Sequence, residues 1–378
     1  MMQQKERGAI IVGGGPAGAI CAAYLAKEGV DVLLLDKDRF PRQKPCGDLV
    51  GEGITSHIEK LEIIHELDEI STFIKRIKII TGSGREAIMP FECYSLARAD
   101  LDMLLLDTAA KWGAEVWQGC QVTDVIEEEG FARGVKIRYR GCETEVRSKL
   151  VIGADGATSQ VAKSLGVMKE KSSGRGYGQR AYFKGVKLSK VLAPGQYDAY
   201  GVFCFDELVK PCYFWAVPVG RTGVEEGYCN VGMMVYDRET FRGMSLEESF
   251  NQWVKRNPII AEMFEDAKQI EPWLGGDITD ASQRMEHFGN GFILIGDAAA
   301  LMMPLKKDGL SKAADSAAAA AKAAVLALRK KNCSREFFEE VIKEEPQEDK
   351  LKEDILMIQS LYDSKLMDRI IMNLLNNG

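Results

Sequence analysis

The sequence predicts an α/β fold, in which a mixed, mainly parallel sheet is combined with an inserted antiparallel sheet and a helical C-terminal segment. Three observations lead to this prediction. A glycine-rich turn joins a buried strand to a helix early in the chain, and two later apolar strands end in Asp-Gly and Gly-Asp. Between those two strands, short stretches with β character replace the helical periodicity.

The first element is a strand–turn–helix–strand unit. Ala9–Val12 is short, apolar and β-branched, as buried strands are, and it leads into the G-x-G-x-x-G sequence of Gly13–Gly18. A helical pattern follows, and Val30–Leu35 forms a second buried strand that ends in Asp36. Such glycines let the backbone approach a pyrophosphate at a helix N-terminus, and the acid can bind a ribose hydroxyl. The unit predicts a Rossmann-like domain of the ββα type that binds an adenine dinucleotide.

A second glycine-rich sequence, Gly82-Ser83-Gly84, follows the apolar run Ile77–Ile80. No helical periodicity comes after it, so a β-hairpin turn is the better interpretation. We therefore expect one dinucleotide motif in the chain and no second motif for a nicotinamide cofactor.

Later strands carry carboxylates at their ends. Leu150–Ile152 leads into Asp155-Gly156, and Gly291–Ile295 leads into Gly296-Asp297 before an alanine-rich helix. Carboxyl ends of parallel strands are where ligands of such sheets bind. For either aspartate alone, a role as a helix N-cap is an equally ordinary interpretation, and it stays open.

Composition and charge exclude several classes of protein. The 378 residues are 46% hydrophobic and 28% charged, which excludes a disordered or fibrous chain. The formal net charge is −7, so the basic excess that nucleic acid requires is missing. We expect no nucleic-acid partner.

Cysteine and histidine usage argues against a metal site. The nine cysteines form no Cys-x-x-Cys pair, and the three histidines are far apart in the sequence. No Ser-His-Asp or Cys-His arrangement suggests hydrolysis, so a bound cofactor is expected to carry the chemistry. The uncharged stretch Gly8–Ala26 is similar to a signal peptide, but Gly13–Pro16 would break its helix, and a cytoplasmic location is expected.

The order of these motifs resembles the FAD-dependent oxidoreductases of the para-hydroxybenzoate hydroxylase type. In that superfamily the G-x-G-x-x-G turn is followed by an arginine before a helix, here Arg98, then by the Asp-Gly and Gly-Asp strand ends. The resemblance covers residues 9–318 and implies FAD as the cofactor. It implies that Asp36 binds the adenosine ribose, that Arg98 lies near the pyrophosphate, and that the Val122 backbone contacts the adenine. Asp297 would contact the ribityl chain and the pyrophosphate.

Two local sequences resemble the geranylgeranyl reductase family. Phe40–Asp48 contains Lys-Pro-Cys-Gly, and Tyr213–Pro218 is similar to that family's Tyr-x-Trp-x-Phe-Pro, with Val217 in place of Phe. Flavin halogenases carry a similar Trp-x-Trp-x-Ile-Pro, so the second sequence discriminates less well. The resemblance implies that Cys46 lies beside the isoalloxazine ring. Residue statistics alone leave open whether the aromatic residues of the second sequence are core or cavity lining.

The predicted site has a catalytic part and a cofactor-binding part. The catalytic candidates are Cys46, Tyr213 and Trp215. The cofactor candidates stand in turns and at strand ends: Gly13, Gly15, Pro16, Ala17, Gly18, Asp36, Lys37, Cys46, Gly47, Arg98, Val122, Asp155, Gly156, Gly296, Asp297, Pro304, Gly309 and Leu310.

The family resemblance implies that the protein reduces carbon–carbon double bonds of a prenyl chain, with hydride from reduced flavin and a proton from Tyr213 or Cys46. Two alternatives stay open: a monooxygenase or halogenase that uses a flavin hydroperoxide, and a non-catalytic flavoprotein. The expected partners are a hydrophobic prenyl-type molecule or lipid and an electron donor, either NAD(P)H or a small iron–sulfur protein. At most peripheral contact with a membrane is expected.

The domain organisation is predicted to be discontinuous. The FAD-binding domain is assigned to residues 1–72, 95–165 and 286–330. The substrate-binding domain is assigned to residues 73–94 and 166–285, and the C-terminal helical segment to residues 331–378. A helix is predicted over Ser245–Lys255, and a last amphipathic helix over Ile355–Leu375.

One loop departs from the family pattern. In Pro304–Leu310, Lys307 replaces a glycine that the family uses beside the flavin. Two interpretations are open: a reshaped loop with its lysines in solvent, or a lysine ammonium that stabilises the anionic reduced flavin.

Overall fold

Two mixed sheets organise the described part of the chain. The structure is a computed structural model, and it describes residues 6–81, 84–168, 176–193, 196–205, 212–221, 223–235, 245–278, 286–302 and 308–342. The α/β class predicted from the sequence is confirmed.

The first sheet contains the strand–turn–helix–strand unit. Its strands are β1 (Arg7–Val12), β2 (Val32–Asp36), β6 (Glu115–Gln118), β7 (Cys120–Glu128), β8 (Phe131–Tyr139), β9 (Cys142–Gly153), β17 (Phe288–Gly289) and β18 (Phe292–Leu294). Its order is β17-β18-β9-β1-β2-β6, with β7 and β8 extending from β9. β1 is parallel to both β2 and β9, and β18 is parallel to β9. The Gly13 turn and the two later strand ends therefore lie at the same carboxyl edge.

The second sheet is built from β3 (Leu49–Val50), β4 (Thr72–Thr81), β5 (Glu86–Ser95), β10 (Gly176–Lys184), β11 (Ser189–Ala193), β12 (Gln196–Phe205), β13 (Cys212–Pro218), β14 (Cys229–Val235), β15 (Lys268–Gln269) and β16 (Leu274–Ile278). β4 and β5 form the predicted hairpin, and the pairs β10–β14 and β12–β13 are antiparallel as expected.

The second sheet is not antiparallel throughout, which corrects the sequence prediction. β4 runs parallel to β12, with Ile77 opposite Gly201. A long stretch of chain separates these two strands, so no short hairpin connection determines their relative direction. The described part of this sheet is therefore mixed.

Helices cover the sheets. They are α1 (Pro16–Lys27), α2 (Glu52–Lys60), α3 (Ile64–Ile70), α4 (Arg98–Lys111), α5 (Gln160–Ser164), α6 (Gly223–Glu226), α7 (Leu246–Arg256), α8 (Pro258–Met263), α9 (Gly309–Lys330) and α10 (Arg335–Val341). The helix predicted over Ser245–Lys255 is present, and Ser245 and Glu248 form its capping box. Among the described helices, none combines the length and hydropathy needed to cross a bilayer.

The second sheet presents different residues on its two faces. On one face Phe214 stacks on Trp253 of α7, with ring centroids 4.2 Å apart. Tyr213, Trp215 and Val217 alternate with Phe214 and lie on the opposite face. The predicted sharing of one face by Tyr213 and Trp215 is thus confirmed.

Some predictions concern residues outside the described ranges. Pro304 and Lys307 fall between 302 and 308, and most of the C-terminal segment, with Ile355–Leu375, lies beyond residue 342. Within 331–342 the chain forms the helix α10.

Candidate active site

The turn between β1 and α1 has room only for glycine at two positions. Gly13 has a φ of 105°, and a Cβ there would lie 2.3 Å from the carbonyl oxygen of Ala154. A Cβ on Gly18 would lie 1.8 Å from the carbonyl oxygen of Gly13. Helix, turn and β9 therefore approach each other as closely as backbones can, which is the shape that admits a pyrophosphate beside a helix N-terminus.

Asp36 holds this turn in place. Its buried carboxylate accepts a hydrogen bond from the Gly14 amide at 2.6 Å and another from the Asp38 amide at 2.8 Å. The sequence assigned Asp36 to a ribose. A carboxylate oxygen can accept more than one hydrogen bond, so the protein contacts leave capacity for a ligand hydroxyl.

The N-terminus of α1 offers a site for an anion. Among the described residues no side chain caps this helix, and Pro16 stands in its first turn. The Arg42 guanidinium lies alongside, with Nη2 3.7 Å from the position of a Cβ on Gly15. A helix N-terminus beside an arginine is a favourable place for a phosphate. Arg42 was not among the predicted residues, because a lone arginine in a loop carries no periodic signal.

The third predicted segment meets the same turn. Gly296, with a φ of 58°, begins the 3₁₀ turn Gly296–Ala299, and a Cβ on it would lie 2.9 Å from the Cβ of Ala17. A Cβ on Gly309, the first residue of α9, would lie 3.7 Å from an oxygen of Asp297. The structure thus brings together the first turn of α1, the Gly-Asp strand end and the start of α9. This glycine-walled cradle fits an extended dinucleotide such as FAD.

Arg98 contacts protein groups. Its guanidinium forms a bidentate pair with the fully buried Asp102, at 2.8 and 2.9 Å, and Arg42 lies 3.1 Å from the same carboxylate. Burial opposes the charge, but the Asp102 carboxylate raises the pKa of Arg98. The same guanidinium hydrogen-bonds the half-buried Cys46, whose thiol pKa is raised by burial.

Asp155 makes the contacts of a helix cap. It accepts hydrogen bonds from the Ser159 hydroxyl and from the amides of Gln160 and Val161 at 2.6 and 3.2 Å, and burial raises its pKa. The N-cap residue of α5 is Ser159, whose side chain accepts from the Ala162 amide, so Asp155 supports the start of the helix without being its N-cap. Gly156, with a φ of 80°, lies next to it, and a Cβ there would be 4.0 Å from the Lys44 ammonium nitrogen.

Three further cofactor candidates are Val122, Leu310 and Lys37. Val122 is buried in β7 within the core of the first sheet. Leu310 is half-buried and packs against the core between α9 and α1, whereas Lys37 is exposed just after β2. The contacts of these side chains identify no ligand role.

The Pro-Cys-Gly loop connects the two sheets. It leaves β2 and ends in Asp48, whose carboxylate accepts hydrogen bonds from Tyr182 at 2.6 Å and from Asn230 at 2.7 Å. The Asn230 amide also donates to the carbonyl of Cys46 at 2.7 Å and accepts from the indole of Trp215 at 2.8 Å. Cys46 and Trp215, far apart in sequence, are joined through one asparagine.

The indole of Trp215 lies against two glycines. A Cβ on Gly232 would come within 2.1 Å of its ring, and one on Gly47 would lie 3.8 Å from its nitrogen. The ring of Tyr213 is 5.9 Å from that of Trp215. The three catalytic candidates Cys46, Tyr213 and Trp215 therefore belong to one neighbourhood beside the loop.

Arg180 is a buried member of the same region that the sequence did not indicate. Its guanidinium pairs with Glu271 at 3.2 Å, hydrogen-bonds Gln43 and stacks 4.1 Å above the ring of Tyr182. Tyr182, Asn230 and Arg180 were missed because single polar residues within strands show no pattern until the fold places them together. Asp48 ends the loop segment that the sequence analysis singled out, but it was assigned no role there.

Comparison with known proteins agrees with this geometry. The model of the FAD binding domain family matches residues 6–333. The digeranylgeranylglycerophospholipid reductase 2 of Methanococcoides burtonii is 31% identical over 349 residues, which cover 88% of this chain and 78% of the relative.

Solved structures share the fold. A geranylgeranyl bacteriochlorophyll reductase-like protein from Thermoplasma acidophilum superposes with a TM-score of 0.77 at 24% identity, over 94% of this chain and 87% of that one. A flavin-dependent brominase gives a TM-score of 0.76 at 19% identity, over 97% and 93% of the two chains. At these identities the likeness concerns the fold.

Proposed function

The chain belongs to the FAD binding domain family and, within it, to the geranylgeranyl reductase family, and from this premise we propose that it reduces carbon–carbon double bonds in the prenyl chains of a lipid. It is an FAD-dependent oxidoreductase. The observation that carries the proposal is the Pro-Cys-Gly loop, which lies against Trp215 next to the dinucleotide turn.

The residues around the turn would hold the cofactor. The turn of Gly13–Gly18, the first turn of α1 and the Arg42 guanidinium provide a place for the pyrophosphate, and Asp36 remains able to bind a ribose hydroxyl. When bound, FAD supplies the hydride chemistry that the side chains of the site lack.

The second sheet would hold the substrate. Trp215 and Tyr213 present aromatic surface on the face that carries the Pro-Cys-Gly loop, as a prenyl chain requires. Alkene reduction adds one hydride and one proton. Because an isolated alkene stabilises little charge, positioning of the substrate and exclusion of water must provide most of the catalysis. Because burial raises the pKa of Cys46, its thiol keeps its proton near neutrality, and Tyr213 is the second candidate donor.

An anaerobic reduction experiment tests the proposal. The purified protein is reduced chemically without oxygen and mixed with a geranylgeranylated glycerophospholipid. We expect the absorbance of oxidised flavin to return, and the lipid to gain two hydrogen atoms for each bond reduced. Saturated lipid with the same headgroup serves as the control.

The same experiment separates the alternatives. Reoxidation that requires oxygen, with a halogenated or hydroxylated product when halide and a phenol are supplied, would favour the halogenase or monooxygenase class. Flavin that is oxidised by neither route would indicate a non-catalytic flavoprotein.

The electron donor and the membrane contact are further parts of the proposal. The absence of a second dinucleotide motif in the sequence favours transient donation, either from NAD(P)H or from a small iron–sulfur protein. Rates of flavin reduction with each donor distinguish the two. Because the proposed substrate is a lipid, we include peripheral contact with a membrane surface, which co-sedimentation with vesicles measures.

A further inference from the structure

We propose that Asp48 is a positioning residue that fixes the orientation of the Trp215 indole and of the Cys46-Gly47 backbone through Asn230. This inference rests on the proposed function, in which Trp215 and the loop face the substrate. Asp48 itself is fully buried and is assigned no contact with the reacting atoms.

The backbone at Asp48 indicates that its side chain is needed. Its φ is 60°, in the left-handed region where glycine is favoured and most other residues are strained. Glycine would therefore be the least costly residue for the turn itself. Aspartate is tolerated there, and here it places a carboxylate between the loop and the second sheet.

The carboxylate binds three donors from three elements. Its Oδ2 accepts from the Tyr182 hydroxyl of β10 at 2.6 Å and from the Asn230 amide of β14 at 2.7 Å, and its Oδ1 accepts from the Arg98 amide at the start of α4 at 3.3 Å. Burial together with Asp48 raises the pKa of Tyr182, so the phenol remains a donor. These hydrogen bonds attach the loop to β10 and β14 of the second sheet and to α4.

The hydrogen bonds of Asn230 connect the Asp48 carboxylate to the Trp215 indole. Both hydrogens of its amide are used, one toward Asp48 and one toward the Cys46 carbonyl, so its oxygen must face the Trp215 N–H, 2.8 Å away. If the amide turned over, its NH₂ would face the indole donor and its oxygen would face two acceptors. The Asp48 charge therefore determines the amide orientation, and the amide determines where the indole lies above Gly47.

Replacement of Asp48 by Asn removes the charge and one of the two acceptor oxygens without changing the shape. Asparagine tolerates positive φ, so the backbone is preserved. If its NH₂ replaces Oδ2, it faces the Asn230 NH₂; if it replaces Oδ1, it faces the Arg98 N–H. Either orientation sets a donor against a donor, so the hydrogen bonds to Tyr182, Asn230 and Arg98 cannot all be kept and the loop loses its single arrangement relative to Asn230.

The first measurement reports the indole directly. The chain is labelled with 5-fluorotryptophan, and the Trp215 resonance, one of five, is assigned with Trp215→Phe. We expect Asp48→Asn to shift or broaden this fluorine resonance and leave the other four in place. Ser95→Ala is the matched control, because Ser95 is equally buried, its β5 strand pairs with Leu49, and its hydroxyl binds the Pro218 carbonyl instead.

The second measurement is kinetic. With the geranylgeranylated lipid, Asp48→Asn should lower kcat at least tenfold with less than a threefold change in KM, and FAD content should be unchanged. Tyr182→Phe removes one donor and should give an intermediate loss. It also keeps the test decisive if Asp48→Asn does not fold.

A pH titration of the wild-type protein adds a test without mutation. The groups that face Asp48 are Tyr182 and Arg180 from β10, Arg98 from α4, Tyr228 just before β14, and Cys46 from its own loop. Burial raises the pKa of Asp48 to about 6. Around that pH the Trp215 resonance should therefore move from its position with protonated Asp48 to its position with ionised Asp48. It should not move in Asp48→Asn.

The outcomes for the inference and for the function are separable. An unmoved Trp215 resonance in a folded Asp48→Asn protein with unchanged kcat would overturn the inference, whatever the substrate. A moved resonance in a protein that reduces no prenyl chain would leave the positioning role intact and contradict the proposed function.

Discussion

At the scale of single residues, the site depends on a few positions where a side chain is forbidden or a charge is required. Gly13 and Gly18 are needed because carbonyl oxygens occupy the space of a Cβ. Asp36 and Asp102 are needed because buried donors converge on them, from backbone amides in one case and from Arg98 and Arg42 in the other. At each of these four positions, a change of rotamer in a neighbouring side chain cannot compensate for a substitution.

Replacing Gly18 by Ala tests the turn. The added methyl would lie 1.8 Å from the Gly13 carbonyl oxygen, so the turn must open and the place for the pyrophosphate is lost. We expect the purified variant to retain less than a tenth of the wild-type FAD, measured by its absorbance relative to protein. Gly51→Ala is the control, because a Cβ there meets nothing within 4 Å. Full FAD content in Gly18→Ala would contradict the assignment.

Replacing Arg42 by Gln tests the anion site at α1. The guanidinium lies beside the helix N-terminus and 3.1 Å from Asp102, so its removal should weaken FAD binding about tenfold, since one phosphate contact is worth roughly 1–2 kcal/mol. Titration of the apoprotein with FAD measures this. Arg147→Gln, which removes only exposed pairs with Glu128 and Glu145, should bind FAD normally. Equal affinities would show that Arg42 is only structural.

At the scale of elements, the alternation of β13 places Tyr213 and Trp215 toward the loop and Phe214 toward α7. β14 makes this possible, because Gly232 leaves its surface open for the indole. The position of Trp215 is thus a property of two paired strands.

Gly232→Ala tests this arrangement. A Cβ at this position would come within 2.1 Å of the Trp215 ring and 2.7 Å of the Gln179 carbonyl oxygen, so the indole must move away from Asn230 and β14 must shift slightly against β10. We expect prenyl reduction to fall at least tenfold while FAD content stays at the wild-type level. Gly178→Ala in the same sheet is the control, since its Cβ would lie 3.3 Å from the flexible end of Ile278 and 4.0 Å from the Met233 carbonyl oxygen, which are tolerable contacts. Loss of FAD in Gly232→Ala with unchanged turnover per flavin would show a scaffold role instead.

At the scale of the whole molecule, one loop connects the sheet that would hold FAD with the sheet that would hold the lipid. The loop leaves β2 and enters β3, which pairs with β5 of the second sheet. Asp48 lies at that junction, and its ionisation is therefore coupled to the stability of the folded chain.

The pH dependence of stability tests this coupling. Burial raises the pKa of Asp48 from 3.8 to about 6, so the folded state binds this proton more tightly than the unfolded state. The contribution is complete below about pH 4 and is lost as the pH rises through about 6. Relative to Asp48→Asn, the wild-type free energy of unfolding should fall by about 2 kcal/mol between pH 4 and 7, measured by urea denaturation. A pH-independent difference would contradict the raised pKa.

The sequence by itself determined the α/β class, the Gly13–Gly18 turn, the family and the FAD cofactor, because these depend on local periodicity and on short contiguous motifs. It also predicted that Tyr213 and Trp215 share a face, since strand alternation is local. The tertiary structure decided what depends on contacts between distant segments: the parallel pairing of β4 with β12, and the path from Asp48 through Asn230 to Trp215. The pairing of β4 with β12 and the hydrogen bond between Asp48 and Asn230 join residues more than 100 positions apart, and no local pattern in the chain records them.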